Sequence, residues 1–300
     1  MATQPTVEDV LTFDVGDLGP VDHPVMLVGL TGWFDAAGAA TNALAQIAPW
    51  STAVTIGEID PDPFYDFTQE RPMVELVDGD IRQVTWPTNA FQLVRTPGRR
   101  DGHDGHDLVV LSGVEPHLAW RTYTGCIVHV VEQLRCAAVV TVGAIADAVP
   151  HTRLPLVVGS TASAELSSRL GLSAPTYQGI TGLVGVLHAE LEERGIPTIS
   201  LRVGVPHYLI HTEHPRAVAA LLGHLSHVLA IPIDADLDEM IERWETIHDE
   251  AVADDEQLQA YVRMLEADYD RRAEATLREA DDLAARFEEF LREQGDDPTD

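Results

Sequence analysis

No lysine occurs in the 300 residues, so all 19 basic side chains are arginine. A Walker A phosphate loop, a pyridoxal Schiff base and a lysine nucleophile are thereby excluded, because each needs the lysine amine. Cysteine is scarce. Cys126 and Cys136 both lie in apolar stretches and read as buried free thiols rather than a redox pair or a disulfide. No apolar run approaches the length of a membrane span. Residues 1–9 carry neither the basic patch nor the apolar core of a signal peptide. These absences set the expectation of a soluble, cytoplasmic protein. Positive charge is short as well, with a net charge of −30 at pH 7. Neither nucleic acid nor an anionic membrane is expected as a partner, since phosphate binding needs a basic surface. The acid surplus serves solubility or the capture of a basic protein. A nucleophile is missing too. There is no G-x-S-x-G elbow, Ser112-Gly113 lacks its flanking pattern, and neither cysteine has an activating neighbourhood.

What is present is a repeated unit. Val25-Met26-Leu27-Val28-Gly29-Leu30 runs into Gly32-Trp33-Phe34-Asp35. Leu108-Val109-Val110-Leu111 runs into Ser112-Gly113-Val114-Glu115, and Ala138-Val139-Val140-Thr141-Val142 runs into Gly143 and then Pro150-His151-Thr152-Arg153. Continuous apolar runs are the mark of strands covered on both faces. In a doubly wound sheet the loops after such strands gather at one edge, where ligands bind. One crevice lined by Trp33, Asp35, Glu115, His151, Thr152 and Arg153 is therefore expected. His207, after the strand 198–203, joins it.

Helical spacing follows Asp35, which reads as an N-cap for Ala36, Ala40, Ala43, Leu44 and Ile47. Pro116 suits the first turn of a second helix, and further helices are expected over 162–170, 181–194 and 218–229. Met73–Val77 and Asp80–Trp86 flank Asp78-Gly79, a strong hairpin signal, with 91–95 as a possible third antiparallel strand. The expected class is α/β: a mixed, mostly parallel sheet between helices, with an inserted β-hairpin. Pro232 marks a boundary between a core domain of residues 1–233 and an acidic helical hairpin and tail of residues 234–300. Asp236 with Glu239, and Asp254 with Gln257, resemble capping boxes that start its two helices. The apolar stripes of those helices carry Trp244, Tyr261, Tyr269, Phe287 and Phe290 and need cover, on the main domain or on a second subunit. Deleting 234–300 is expected to lower solubility or reduce the oligomer.

The polar constellations each admit two readings. His103-Asp104-Gly105-His106-Asp107 offers metal-ligand types, but its glycine setting lacks the rigidity a metal needs, and no metal is expected. Gly179, Thr181 and Gly182 open a helix either as an anion nest or for close packing on the sheet. His151, Thr152 and Arg153 either hold a phosphate or carboxylate, or Arg153 makes a structural ion pair within or between subunits. Paired with Asp35, Glu115 or a neighbouring subunit, its loss would cost on the order of 3 kcal/mol. Asp35 and Glu115 are either a carboxylate pair at the crevice or helix N-caps.

Taken in order, Gly32-Trp33-Phe34-Asp35-Ala36-Ala37-Gly38, Phe64-Tyr65-Asp66-Phe67 with Arg71-Pro72, Glu115-Pro116 with Trp120, Gly143 through Arg153, Gly179-Ile180-Thr181-Gly182-Leu183 and Leu187-His188 resemble the family of the second proteasome assembly chaperone, in its bacterial long-chain branch. The resemblance covers residues 20–230. It implies an α/β fold similar to nucleoside phosphorylases and hydrolases, a helical appendage and self-association, a trimer ahead of a dimer. It also implies chaperone-like binding of proteasome subunits. Archaeal relatives dock on rings through a tail ending in a hydrophobic residue, tyrosine and any residue. This chain ends Asp297-Pro298-Thr299-Asp300, so docking by that route is not expected. Two functions stand: a non-enzymatic oligomeric binding protein, and a phosphorylase- or hydrolase-like enzyme with an anion-binding crevice. No cofactor is expected in either.

Overall fold

The computed structural model describes residues 5–16, 18–49, 53–77, 81–96 and 106–274. Among these the backbone forms a mixed eight-stranded sheet in the order β1-β3-β6-β7-β2-β8-β10-β9. The strands are β1 (Leu11–Phe13), β2 (Val25–Thr31), β3 (Val54–Ile59), β6 (Asn89–Val94), β7 (Leu108–Val114), β8 (Ala138–Asp147), β9 (Val157–Ser160) and β10 (Thr198–Pro206). β7, β2, β8 and β10 run parallel at the centre, and antiparallel strands flank them.

The central strands alternate their burial between two layers. Met26 and Val28 face one core and Leu27 the other; Val109 and Leu111 oppose Leu108 and Val110. One layer is roofed by α3 (Trp120–Leu134) and α5 (Leu183–Glu193), through Tyr123, Ile127, Leu187 and Leu191. The other is roofed by α2 (Ala39–Ile47) and α6 (Pro215–Leu229), through Ala40, Leu44, Leu221 and Leu225. A short α1 (Val7–Val10) packs on α3, and α4 (Ala164–Leu170) follows β9, capped by Ser163. This is the expected α/β class, with helices on both faces. Both cysteines are free and buried, and burial pushes each thiol up to about 12, out of the range where a thiolate forms near neutrality.

Four local expectations need correction. The helix expected from Pro116 starts at Trp120, because Ala119 stands in the left-handed region (φ 51°, ψ 39°) and breaks the helical path; the N–H groups of His117 and Leu118 before it donate to the Phe64 carbonyl at 2.9 and 3.0 Å. The segment expected to extend the hairpin, β6, instead enters the main sheet between β3 and β7. The hairpin, β4 (Met73–Val77) with β5 (Ile81–Thr85), stands apart as its own two-stranded sheet, and every residue in those strands is exposed. Its Asp78-Gly79 turn lies outside the described residues. The helix expected from Asp236 begins at Asp238 as α7 (Asp238–Ala253), with no side-chain cap; buried Leu237 anchors its start in the core instead. A last helix, α8, is described over 256–274, and its cap is Asp255, whose Oδ1 accepts from the N–H groups of Gln257 and Leu258. The rest of its expected stripe, including Phe287 and Phe290, lies outside the described residues, as do His103, Asp104 and Gly105. Asp107 is engaged with Arg95 and with the Asp22 N–H at 2.9 Å.

Candidate functional site

The strand C-termini gather along one edge, and the expected single crevice is divided there into two places. The first is an open groove with a volume of about 1290 Å³ between the loops after β2, β3 and β7 and the segment that joins α4 to α5. Its floor is built by backbone satisfaction. Tyr65, buried, donates its hydroxyl to the Val114 carbonyl at 2.6 Å and receives the Asn89 amide. Asn89 Oδ1 accepts from the Val114 N–H at 2.9 Å. His117 Nδ1 accepts from the Asp66 N–H at 3.1 Å, which leaves the ring proton on Nε2. Three hydrogen bonds from Thr68 and Gln69 hold the Asp66 carboxyl down to about 2.

Glu115 closes the end of the groove. Its Oε2 accepts from the Trp33 N–H at 3.1 Å and its Oε1 from the N–H of Leu183, the first residue of α5, at 3.3 Å. The carboxylate thus occupies the helix N-terminus that Gly179, Thr181 and Gly182 suggested as an anion nest. Gly185 serves close approach: a Cβ there would fall 1.9 Å from Thr181 Oγ1. Above this floor the rim is bare. Trp33 is 88% exposed, Tyr177 74% and Ile180 96%.

Asp35 is not in the groove. It is buried, and its carboxylate caps α2, accepting from the Ala40 N–H at 2.7 Å and the Thr41 hydroxyl at 2.6 Å. Burial raises its pKa despite those bonds. Asp35 and Glu115 therefore act as separate caps. Beside Asp35, the Phe34 ring lies over Gly143 of β8, where a Cβ would come within 1.9 Å of it.

The second place is the turn at His151, and the chain itself fills it. Buried His151 meets the Tyr208 hydroxyl through its backbone N–H (3.0 Å) and its Nδ1 (2.8 Å). Its Nε2 stands 3.3 Å from Asp249 Oδ1 of α7 without an aligned hydrogen bond. Desolvation lowers its pKa, against the pull of Asp249. Thr152 donates to Glu266 of α8 at 2.5 Å. Arg153 meets Asp270 with both Nε and Nη2 at 2.8 Å and Glu266 at 3.1 Å, so its charged state is favoured. His207 joins by its Nε2 to the Tyr261 hydroxyl at 3.0 Å. Trp244 of α7 is buried and stacked on His214 at 4.2 Å between ring centres. The arginine partners are thus Glu266 and Asp270 rather than Asp35 or Glu115, and they belong to the same chain.

Sequence reasoning missed most of the groove. Tyr65, Asp66, Phe67, His117, Trp120 and Tyr177 line it, and the one local signal was the aromatic cluster after the breaker Asp60-Pro61-Asp62-Pro63. It also missed Trp244, His214 and Asp249 around His151.

A sequence model of the PAC2 family matches residues 29–252. Among solved structures, the chain is similar to a PAC2 family protein from Streptomyces avermitilis at 32% identity and a TM-score of 0.72, covering 80% of this chain and 99% of that one. It is similar to a proteasome-assembly chaperone homologue from Mycobacterium tuberculosis at 36% identity and a TM-score of 0.70, covering 79% of this chain and 99% of that one. The fold extends to PbaB, an archaeal proteasome activator from Pyrococcus furiosus, at 19% identity and a TM-score of 0.61, covering 81% of this chain and 98% of that one. Curated proteins give no significant match. The ordered motifs, the two-faced sheet and the match across most of the length agree: the chain belongs to the PAC2 family.

Proposed function

We propose that this protein is a chaperone-like binding protein that transiently captures partner subunits, proteasome subunits foremost, without covalent chemistry. The observation that carries the reading is the groove rim, where Trp33, Tyr177 and Ile180 hold large apolar side chains in water above a rigid floor. Isolated exposed apolar residues are ordinary, but a cluster at the ligand edge of the sheet marks a protein contact. The names of the similar proteins, a proteasome-assembly chaperone homologue and a proteasome activator, point to the same class of partner. The phosphorylase-like alternative draws less support, since Glu115 fills the helix N-terminus and Arg153 is engaged by two carboxylates.

Self-association belongs to the same reading. The β4–β5 hairpin leaves Met73, Val74, Leu76 and Ile81 exposed, and a lone hairpin in water is marginal, so a second copy is its expected cover. Homo-oligomers close by point-group symmetry, and the family resemblance puts a trimer ahead of a dimer here; the cytoplasm is the expected compartment. No helix among the described residues is long and apolar enough to cross a membrane.

The test mixes the purified protein with purified proteasome α and β subunits from the same cell and follows ring formation on native gels and by light scattering. A complex with one subunit type, or faster ring formation, is expected. Unchanged assembly together with no complex would overturn the role.

A further inference from the structure

We infer that the groove beside Trp33 receives a polypeptide segment of the partner that sets an arginine or lysine between apolar side chains. This rests on the protein-binding reading and names what that site selects. The carboxylates lining the groove are Asp66, Glu70 and Glu115, with the His117 imidazole beside them; among the described residues no arginine lines it. Asp66 is held charged by its hydrogen bonds. Glu70 makes no side-chain hydrogen bond or ion pair among the described residues, so its carboxylate is available. His117 gives its Nδ1 lone pair to the Asp66 N–H and turns its Nε2–H to the groove. The one place in the groove suited to an anion, the start of α5, is already taken by Glu115.

Most of the other side chains that line it are aromatic or aliphatic, with Thr31, Gln69 and Thr181 the uncharged polar ones among the described residues. A guanidinium or ammonium entering here meets carboxylates beside the faces of Trp33 and Tyr177, an arrangement that favours cations through charge and through the ring quadrupole. Its neighbours along the segment meet Leu118 and Ile180, which are 55% and 96% exposed. At about 1290 Å³ the groove exceeds the range of about 300–1,000 Å³ ordinary for small-molecule pockets, which suits several residues of chain rather than one metabolite. The net charge of −30 draws a basic segment in from a distance.

The test titrates the full chain with three fluorescein-labelled nonapeptides: alternating leucine and arginine, alternating leucine and glutamate, and alternating glycine and arginine. Anisotropy reads affinity, and circular dichroism reads the fold. The leucine–arginine peptide is expected to bind at least about 10-fold more tightly than either other, and added salt should weaken it. Trp33→Ala should cost it about 10-fold and Glu70→Gln about 3-fold. Glu193→Gln, an exposed carboxylate away from the groove, should change nothing. Equal binding of the glutamate or glycine peptide, or equal loss with Glu193→Gln, would overturn the assignment. So would a smaller oligomer for Trp33→Ala in sedimentation, which would give the groove to a second copy. Groove variants that lose the peptide but still bind proteasome subunits would overturn the groove's role alone. Peptide binding intact in a protein that ignores proteasome subunits would support the groove and overturn the partner.

Discussion

The groove beside Trp33 and the turn at His151 both sit where central strands end, yet one lies open and the other is covered by the chain's own α7 and α8. The covered place holds the more reactive residue types: imidazoles, a guanidinium and a hydroxyl. Each is engaged or enclosed internally: His151 meets Tyr208 through Nδ1 and is shut in beside Asp249, Thr152 meets Glu266, and Arg153 meets Glu266 and Asp270. The open place holds mostly aromatic and aliphatic side chains, with its carboxylates partly committed to backbone N–H groups. Side-chain reactivity is therefore a poor guide to the site here. Exposure after every polar partner has been found is the better one, because a polar group already satisfied has little to offer a ligand.

The sharpest way to break the comparison is to open the covered place. Trp244→Ala removes a ring that is 6% exposed and stacked on His214 at 4.2 Å. Truncating a buried tryptophan costs about 3 kcal/mol or more. A thermal melt should show that loss, and hydrogen exchange should show α7 and α8 released while the amides of β2 and β7 stay protected. Full protection of α7 in this variant would mean that the hairpin docks by other means.

Acid should loosen the same place by a smaller amount. Burial, then the positive charges of Arg216 and His248, hold the His214 imidazole down to about 4. Its Nδ1 accepts from the Ala217 N–H at 3.3 Å at the start of α6, and a proton there would abolish that cap. In the unfolded chain the imidazole takes its proton near pH 6.5. Between that pH and about 4, the unfolded chain holds a proton that the folded one refuses, so stability drops as the pH is lowered through this window and is flat above it. At pH 5 the loss from His214 is on the order of 2 kcal/mol. The folded pKa values of His151 and His188 are lowered by burial as well and tilt the curve the same way. His214→Asn keeps an N-cap acceptor and removes one titration, so its melting temperature should vary less between pH 7 and pH 5. An unchanged slope would sink the assignment.

Much of the fold was legible in local pattern. β2, β7 and β8 are continuous apolar runs because each is covered on both faces, and α2 shows its small residues because Leu44 and its alanines pack close to the sheet. What was not legible is carried by long-range hydrogen bonds. The Phe64 carbonyl holds the turn before α3, and Glu115 caps α5 across 68 residues of chain. No spacing rule joins Tyr65, Glu115 and Tyr177, which meet only because three loops share an edge. Arg153 was legible as a structural residue, but not its partners, since nothing local ties a turn at 150 to a helix at 266.

That matters for the size of the arginine's effect. The estimate near 3 kcal/mol assumed a buried carboxylate left stranded. The side chains of Arg153, Glu266 and Asp270 are instead 34, 24 and 49% exposed, so water screens the pair and solvates whatever is left behind. Arg153→Ala should lower the melting temperature by no more than about 3 °C. A larger drop would mean that the turn itself, and not only its tie to α8, needs the guanidinium.

The smallest expected effect on stability is the one that separates the two places most cleanly. Trp33 is 88% exposed, so truncating it removes almost no buried area from the folded protein. Its engaged group is the backbone N–H held by Glu115, which alanine retains. Trp33→Ala should therefore melt within about 0.5 kcal/mol of the parent, in the range of ordinary surface substitutions. Its loss should fall on partner binding instead, because a large ring held bare in water contributes only when something covers it. Trp244 is the mirror case, with its cover supplied by the chain and its effect falling on stability. If Trp33→Ala destabilised the fold as Trp244→Ala does, the groove would be part of the core's support. If it changed neither stability nor binding, the partner surface would have to be sought on the β4–β5 hairpin, where Met73, Leu76 and Ile81 are exposed as well.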